Sequence, residues 1–137
     1  TTPIAVGENR YRVTEERRLI ENQAVDIVAP DLPKVGGMRE TRKVADVANQ
    51  YYVPVAMHNV SSPIATMASA QVGAAIPNSL AVEYHSYELD WWSDLVEEDV
   101  IEDGYIEIPE QPGLGVTLDM DAVEAHMVDG ETLFDEE

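Results

Sequence analysis

Four short apolar runs punctuate the chain, and each stops at an ionisable side chain. Ile4, Ala5 and Val6 lead to Glu8. The run from Val25 leads through Pro30 to Asp31. Val53 to Met57 ends at His58, and Leu80, Ala81 and Val82 end at Glu83. Successive ends are 23, 27 and 25 residues apart. A spacing of that size holds one strand, one helix and two loops, so the pattern predicts four β/α units. Strands are predicted over 3–7, 25–29, 54–57 and 80–84. They are apolar on both faces and separated by helical stretches, which is the mark of a parallel sheet.

The helices follow from the polar segments between the runs. Thr14 is placed as an N-cap, with Glu15 and Glu16 in the first turn and Leu19 and Ile20 on the apolar face. Residues 30–37 read as a loop. A second helix is predicted over 38–51, because Val44, Val47, Ala48 and Tyr51 fall at i, i+3, i+4 and i+7. Ser62 and Pro63 supply an N-cap and an N1 proline for a third helix running to about residue 75. Its Ala, Ser and Gly residues let it lie close to the sheet. Beyond Trp92 the pattern changes. Residues 100–109 alternate around Asp103-Gly104, which predicts a β-hairpin. A turn at Pro112-Gly113-Leu114-Gly115, a last helix over 119–128 and an acidic tail complete the chain. The expected division is 1–95 for the β/α units and 96–137 for an extension.

Length sets the architecture. With 137 residues the chain can bury one core,. A closed eight-stranded β/α barrel typically needs about 250 residues. Four units make half of one, and an open half exposes two strand edges. Thr-Thr-Pro-Ile-Ala-Val opens as a strand with no start signal before it. The chain therefore reads as the C-terminal half of a TIM-type barrel from a longer polypeptide, and this stretch alone is expected to be inactive.

Charge narrows the partners. There are 27 acidic and 8 basic residues, a formal net charge of −19. Phosphate-rich nucleic acid and anionic membranes are poor partners for such a surface. The apolar fraction of 45% is normal for a globular chain,. The acids are spread along the whole length, which points to a cytoplasmic protein of a very salty cytosol, where a short Debye length relieves self-repulsion. Cysteine is absent, which removes disulfides, thiolate nucleophiles and Cys-based zinc sites,. No run approaches the roughly 18 apolar residues of a membrane span.

The four strand ends carry the chemistry. In parallel α/β folds the site lies at the C-terminal ends of the strands, where Glu8, Asp31, His58 and Glu83 are placed. An Asp on one strand beside a His on the next orients the imidazole and makes a proton-transfer dyad. Singly, each residue has an ordinary explanation: Glu8 as a cap or surface acid, Asp31 as a turn former, His58 as a structural histidine. Lys34 reads equally as a site contact or a loop-surface lysine. His85 reads as a site-lining residue or, slightly ahead, as an ordinary structural one, and Trp91 and Trp92 read as packing residues rather than a sugar-stacking pair. Asp119 and Asp121 resemble the start of an EF-hand loop, but Glu124 and Gly130 stand where that loop needs Gly and Glu.

Gly7-Glu8-Asn9, Pro30-Asp31-Leu32 with Lys34-Val35-Gly36-Gly37, His58-Asn59, Glu83 and Pro112-Gly113-Leu114-Gly115-Val116 occur in an order that resembles the enolase superfamily, in its mandelate racemase and muconate lactonizing enzyme-like subgroup. The resemblance covers about residues 4–115. His58-Asn59-Val60-Ser61-Ser62-Pro63-Ile64 and Leu80 to His85 look most similar to archaeal sugar-acid dehydratases. The resemblance implies that Glu8 is one ligand of an essential Mg²⁺. It implies that Asp31 and His58 form the dyad and that Glu83 hydrogen-bonds a substrate carboxylate oxygen. The implied reaction takes the proton α to a carboxylate through an enediolate and expels a β-hydroxide, giving a 2-keto-3-deoxy acid. A racemase or epimerase built on the same dyad is the second enzymatic reading. A non-catalytic acidic module is the third. A small-molecule sugar acid is the expected partner, and a homo-oligomer of the full-length enzyme the expected assembly.

Overall fold

The computed structural model describes residues 2–85 and 89–133. The acidic tail over 134–137 lies outside the described residues. Four strands, β1 (Ala5–Val6), β2 (Ile27–Val28), β3 (Val55–Met57) and β4 (Ser79–Val82), form one sheet in the order β1-β2-β3-β4. Every neighbouring pair is parallel. The connections are α1 (Arg12–Glu21), then α2 (Leu32–Val35) with α3 (Met38–Gln50), then α4 (Pro63–Ala75). The four expected strands are present in sequential order, as in an arc of a barrel, with helices connecting the first three to their successors; among the described residues no α-helix of its own follows β4 before the C-terminal extension.

The register divides the sheet into two faces. Val28 pairs with Val55, and Met57 pairs with Val82. Val28, Val55 and Met57 are buried with Ile20, Val35, Val44, Ala45 and Ala48 in the core under the helices. On the alternate positions Ala5 and Ala81 are exposed, and Ile27 and Ala56 are only half-covered. That barer face is where a closed barrel would have its interior. Among the described residues no further strand covers the β1 or β4 edge.

Local chemistry accounts for the boundaries, and in places corrects the sequence reading. Helix α1 begins at Arg12, ahead of the cap expected at Thr14. Its free amides are taken by carboxylates: Tyr11 N–H donates to Glu15 Oε2 at 2.9 Å, and Val13 N–H donates to Glu40 Oε1 of α3 at 3.1 Å. Lys43 and that Val13 amide hold the Glu40 carboxyl below its usual range. Residues 30–37 are partly helical rather than all loop, because Asp31 caps α2 and Gly36 ends it in the left-handed region, at φ 117°,. Pro63 opens α4 at N1 as expected, but the Ser62 hydroxyl makes no cap bond.

The segment after β4 packs back on this layer. The expected hairpin over 100–109 is reduced to its turn. Glu102 and Tyr105 exchange both main-chain bonds, at 3.0 and 2.8 Å, around Asp103 and Gly104, which both have positive φ,. Gln71 of α4 donates to the Leu114 carbonyl at 3.2 Å. Glu98 accepts from the Thr117 amide and hydroxyl, which lowers its pKa. The last helix, α5 (Met120–Ala125), is capped by Asp119 and is shorter than the 119–128 expected.

Candidate active site

The rim of the sheet is built by strand ends. Gly7 follows β1 with φ 152°, and a Cβ there would sit 2.8 Å from the Ala29 backbone. Only glycine lets the end of β1 lie this close to β2, so the next residue, Glu8, is delivered onto the rim. Asp31 follows β2 and His58 follows β3. They are joined by an isolated parallel bridge, and the His58 amide donates to the Pro30 carbonyl at 3.2 Å. Glu83 follows β4, its amide donating to the Met57 carbonyl at 2.9 Å.

The three carboxylates converge on the imidazole. His58 Nδ1 lies 2.9 Å from Asp31 Oδ2. Nε2 lies 3.1 Å from Glu8 Oε2 and 3.8 Å from Glu83 Oε2. The Asp31 side chain is 7% exposed and that of His58 14%, whereas Glu8 and Glu83 are 54% and 45% exposed. The dyad is therefore set into the protein and the two glutamates face the opening.

Asp31 is fixed by two tasks at once. Its Oδ1 accepts from the Lys34 amide at 3.1 Å, capping α2, while Oδ2 faces His58. The cap dictates the side chain's orientation, so the short helix aims the carboxylate that orients the imidazole. With Nδ1–H donating to Asp31, the other nitrogen, Nε2, is the one directed to the opening.

Two residues given no firm role by the sequence close this cluster into a ring. Asn9 donates to Glu8 Oε1 at 2.6 Å, and Lys34 Nζ donates to Asn9 Oδ1 at 3.3 Å. Lys34 Nζ is also 3.4 Å from Asp31 Oδ2. The ring runs Glu8, Asn9, Lys34, Asp31, His58 and back to Glu8. The i, i+3 spacing of Asp31 and Lys34 was the available signal. Asn9 carried none beyond its place after Glu8.

The other candidates fall elsewhere. The Trp91 ring stacks on His126, with centroids 4.1 Å apart and planes at 12°, as a packing contact to the C-terminal segment. Tyr84, His85 and Trp92 line a cavity of about 210 Å³ with Ser61 and residues of the segment 96–101.

A magnesium ion asks for several hard oxygen ligands in near-octahedral array. Among the described residues no group of three or more His, Asp or Glu side chains is arranged to hold a metal ion. Both oxygens of Glu8 are engaged by protein partners, Asn9 and His58. The described residues do not by themselves make up a magnesium site.

Residues 1–122 match the family described as enolase C-terminal domain-like. The chain belongs to that family. The D-xylonate dehydratase of Haloferax volcanii is 78% identical over 138 residues, covering all of this chain and 34% of that protein. The D-gluconate/D-galactonate dehydratase of Picrophilus torridus is 32% identical over 130 residues, covering 94% of this chain and 33% of that protein. Among solved structures, a mandelate racemase/muconate lactonizing enzyme-like protein of Rubrobacter xylanophilus superposes with TM-score 0.88 at 43% identity. That match covers 95% of this chain and 34% of the other. The chain thus spans about a third of the length of the curated relatives it matches. The sheet described above is the corresponding part of an enolase-superfamily β/α barrel, as the sequence motifs implied. Members of the enolase superfamily generally use Mg²⁺. No helix among the described residues is long and apolar enough to cross a membrane.

Proposed function

We propose that this chain supplies the His58 side of the active site of a sugar-acid dehydratase, with D-xylonate as the substrate. The observation that carries the reading is the His58 imidazole, held by Asp31 through Nδ1 and turned with Nε2 toward two rim glutamates. The 78% identity to a D-xylonate dehydratase supports the choice of substrate within the aldonates.

The reaction removes the proton on the carbon next to the carboxylate and the hydroxyl on the carbon beyond it. The C–H electron pair moves onto the carboxylate, then returns to expel the hydroxyl as water. The resulting enol becomes the 2-keto-3-deoxy acid. His58 is the general acid/base: Nε2 takes the proton from the α carbon and gives it to the departing hydroxyl, while Asp31 stabilises the imidazolium in between. Glu83 hydrogen-bonds the substrate carboxylate oxygen on which charge gathers. Glu8 is one oxygen ligand of a Mg²⁺ ion whose other ligands come from outside this chain. Bound there, the ion supplies Lewis-acid stabilisation of the same developing charge.

The enzyme so described works in the cytoplasm, at salt concentrations that screen a chain of net charge −19,. Incubating the complete enzyme with D-xylonate and assaying for the 2-keto-3-deoxy acid tests the reading. An epimerised acid in place of the keto acid would move the assignment to a racemase or epimerase. No conversion of any aldonate would overturn it.

A further inference from the structure

We infer that Asn59 is a positioning residue for Glu83, a role that rests on the reading of Glu83 as the group that meets the substrate carboxylate. Glu83 needs an external hold. Its side chain is 45% exposed, and the strand β4 ends one residue earlier, at Val82. Packing does not fix its carboxylate.

Asn59 holds Glu83 at two points. Its main-chain N–H donates to Glu83 Oε2 at 3.2 Å, and its side-chain Nδ2 donates to the Glu83 main-chain carbonyl at 3.0 Å. The same Nδ2 donates to Thr66 Oγ1 at 2.8 Å, and that hydroxyl donates to the Ser62 carbonyl at 3.1 Å. Asn59 and Thr66 are 2% and 1% exposed. A buried amide therefore anchors the rim of β4 to helix α4 and, through its own backbone, to His58 next door.

Two details favour a positioning role over simple packing. Both Asn59 amide protons hold the rim, one on the Glu83 main-chain carbonyl and one on Thr66 Oγ1. Asn59 also follows the dyad histidine directly, so one short segment sets the separation between the His58 Nε2 and the Glu83 carboxylate, 3.8 Å here.

The test is a double-mutant cycle in the complete enzyme acting on D-xylonate. Asn59→Ala is expected to lower kcat roughly 10- to 100-fold, the scale of a small misplacement of a reacting group, with little change in KM. In a Glu83→Ala background the same substitution should add less than about twofold, because residues that act through one another are not additive. Thr66→Val should lower kcat in the same direction and Thr66→Ser should restore it. Multiplying losses in the double variant, or unchanged kcat in Asn59→Ala, overturns the clamp and leaves the role of Glu83 standing. Full activity in Glu83→Ala overturns the role of Glu83 and the clamp with it. Should Asn59→Ala fail to fold, wild-type kcat in a folded Thr66→Val variant overturns the clamp.

Discussion

The Asp31 carboxylate meets His58 Nδ1 at 2.9 Å across the junction of β2 and β3, while its other oxygen caps helix α2. One side chain thus joins a helix start to an imidazole, and the tautomer of His58 follows from the helix. Removing the proton carrier and removing its orienting partner should differ in kind. His58→Asn in the complete enzyme is expected to lower kcat by about 10² to 10⁴, the usual worth of a general acid/base. Asp31→Ala removes both the cap and the partner of Nδ1. It should lower kcat by at least roughly 10-fold and lower stability by about 1 kcal/mol, the worth of a good N-cap. Steady-state kinetics with urea unfolding of each variant separates the two effects, and unchanged stability in Asp31→Ala would contradict the cap.

How much of this was legible in the chain depends on whether a residue's partner is local or distant. The rim residues could be read because a strand end fixes direction, and four ends recurring at near-constant spacing leave few other arrangements. Asp31 had two candidate roles, turn former and dyad partner, and its two oxygens cap α2 and contact His58 Nδ1. The start of α1 was misplaced because its amides are capped by Glu15 from within and by Glu40 of another helix. No local pattern announces a cap delivered by tertiary packing. The bond from Asn9 to Lys34, 25 residues apart, was hidden for the same reason. Glu16 was read as a favourable first-turn acid, yet it is fully buried.

That burial has a consequence for pH. Val13, Glu16 and Ile20 share one side of α1, and neither Glu16 oxygen has a hydrogen-bond partner among the described residues. Desolvation, partly offset by Arg10 and reinforced by Glu15, pushes its pKa up to about 7 from an ordinary 4.5. The folded state therefore keeps a proton that the unfolded state releases above pH 4.5. Stability falls as pH rises from about 4.5 to about 7 and is level beyond, by about 3 kcal/mol in all for this group,. Glu16→Leu should remove that slope and raise stability at pH 8. Urea unfolding at pH 5 and pH 8 reads both, and equal pH slopes in the two proteins would refute it.

Lys34 offers a contrast between geometry and stability. Its ammonium sits 3.4 Å from Asp31 and its side chain is 40% exposed. An exposed pair of this kind is worth at most about 1 kcal/mol. Lys34→Met should leave the melting temperature within a few degrees of wild type, while the ring loses the link between Asn9 and Asp31. Thermal melts check the first point. A large loss of stability would mean that Lys34 anchors the loop itself.

If Glu8 is the proposed Mg²⁺ ligand, its environment must change when the metal binds. Its Oε2 lies 3.1 Å from His58 Nε2, an oxygen that cannot serve both partners fully. Glu8→Gln in the complete enzyme should weaken Mg²⁺ binding by roughly 10-fold or more, since a carboxamide is a poorer ligand for a hard cation. Treatment with a chelator should abolish turnover, and Mg²⁺ should restore it. Calorimetric titration of Mg²⁺ into both proteins measures the difference, and equal affinity would remove Glu8 from the metal's ligands.

The net charge of −19 gives the last prediction. Carboxylates spread along the chain repel one another in the folded state more than in the expanded one, because folding brings them closer. Screening acts on that difference. The Debye length shrinks from about 10 Å at 0.1 M salt to about 3 Å at 1 M. Relief of even 1 kcal/mol moves the midpoint of a domain this size by several degrees, so the melting temperature should rise by roughly 5 °C or more between 0.1 and 2 M KCl. Exposed acids remote from the rim supply the control. A triple variant with Glu107, Glu110 and Glu124 each changed to glutamine lowers the repulsion and should melt higher at 0.1 M KCl, with a shallower rise on adding salt. If the triple variant kept the wild-type salt slope, the stabilisation would come from ion effects on apolar burial rather than from screening.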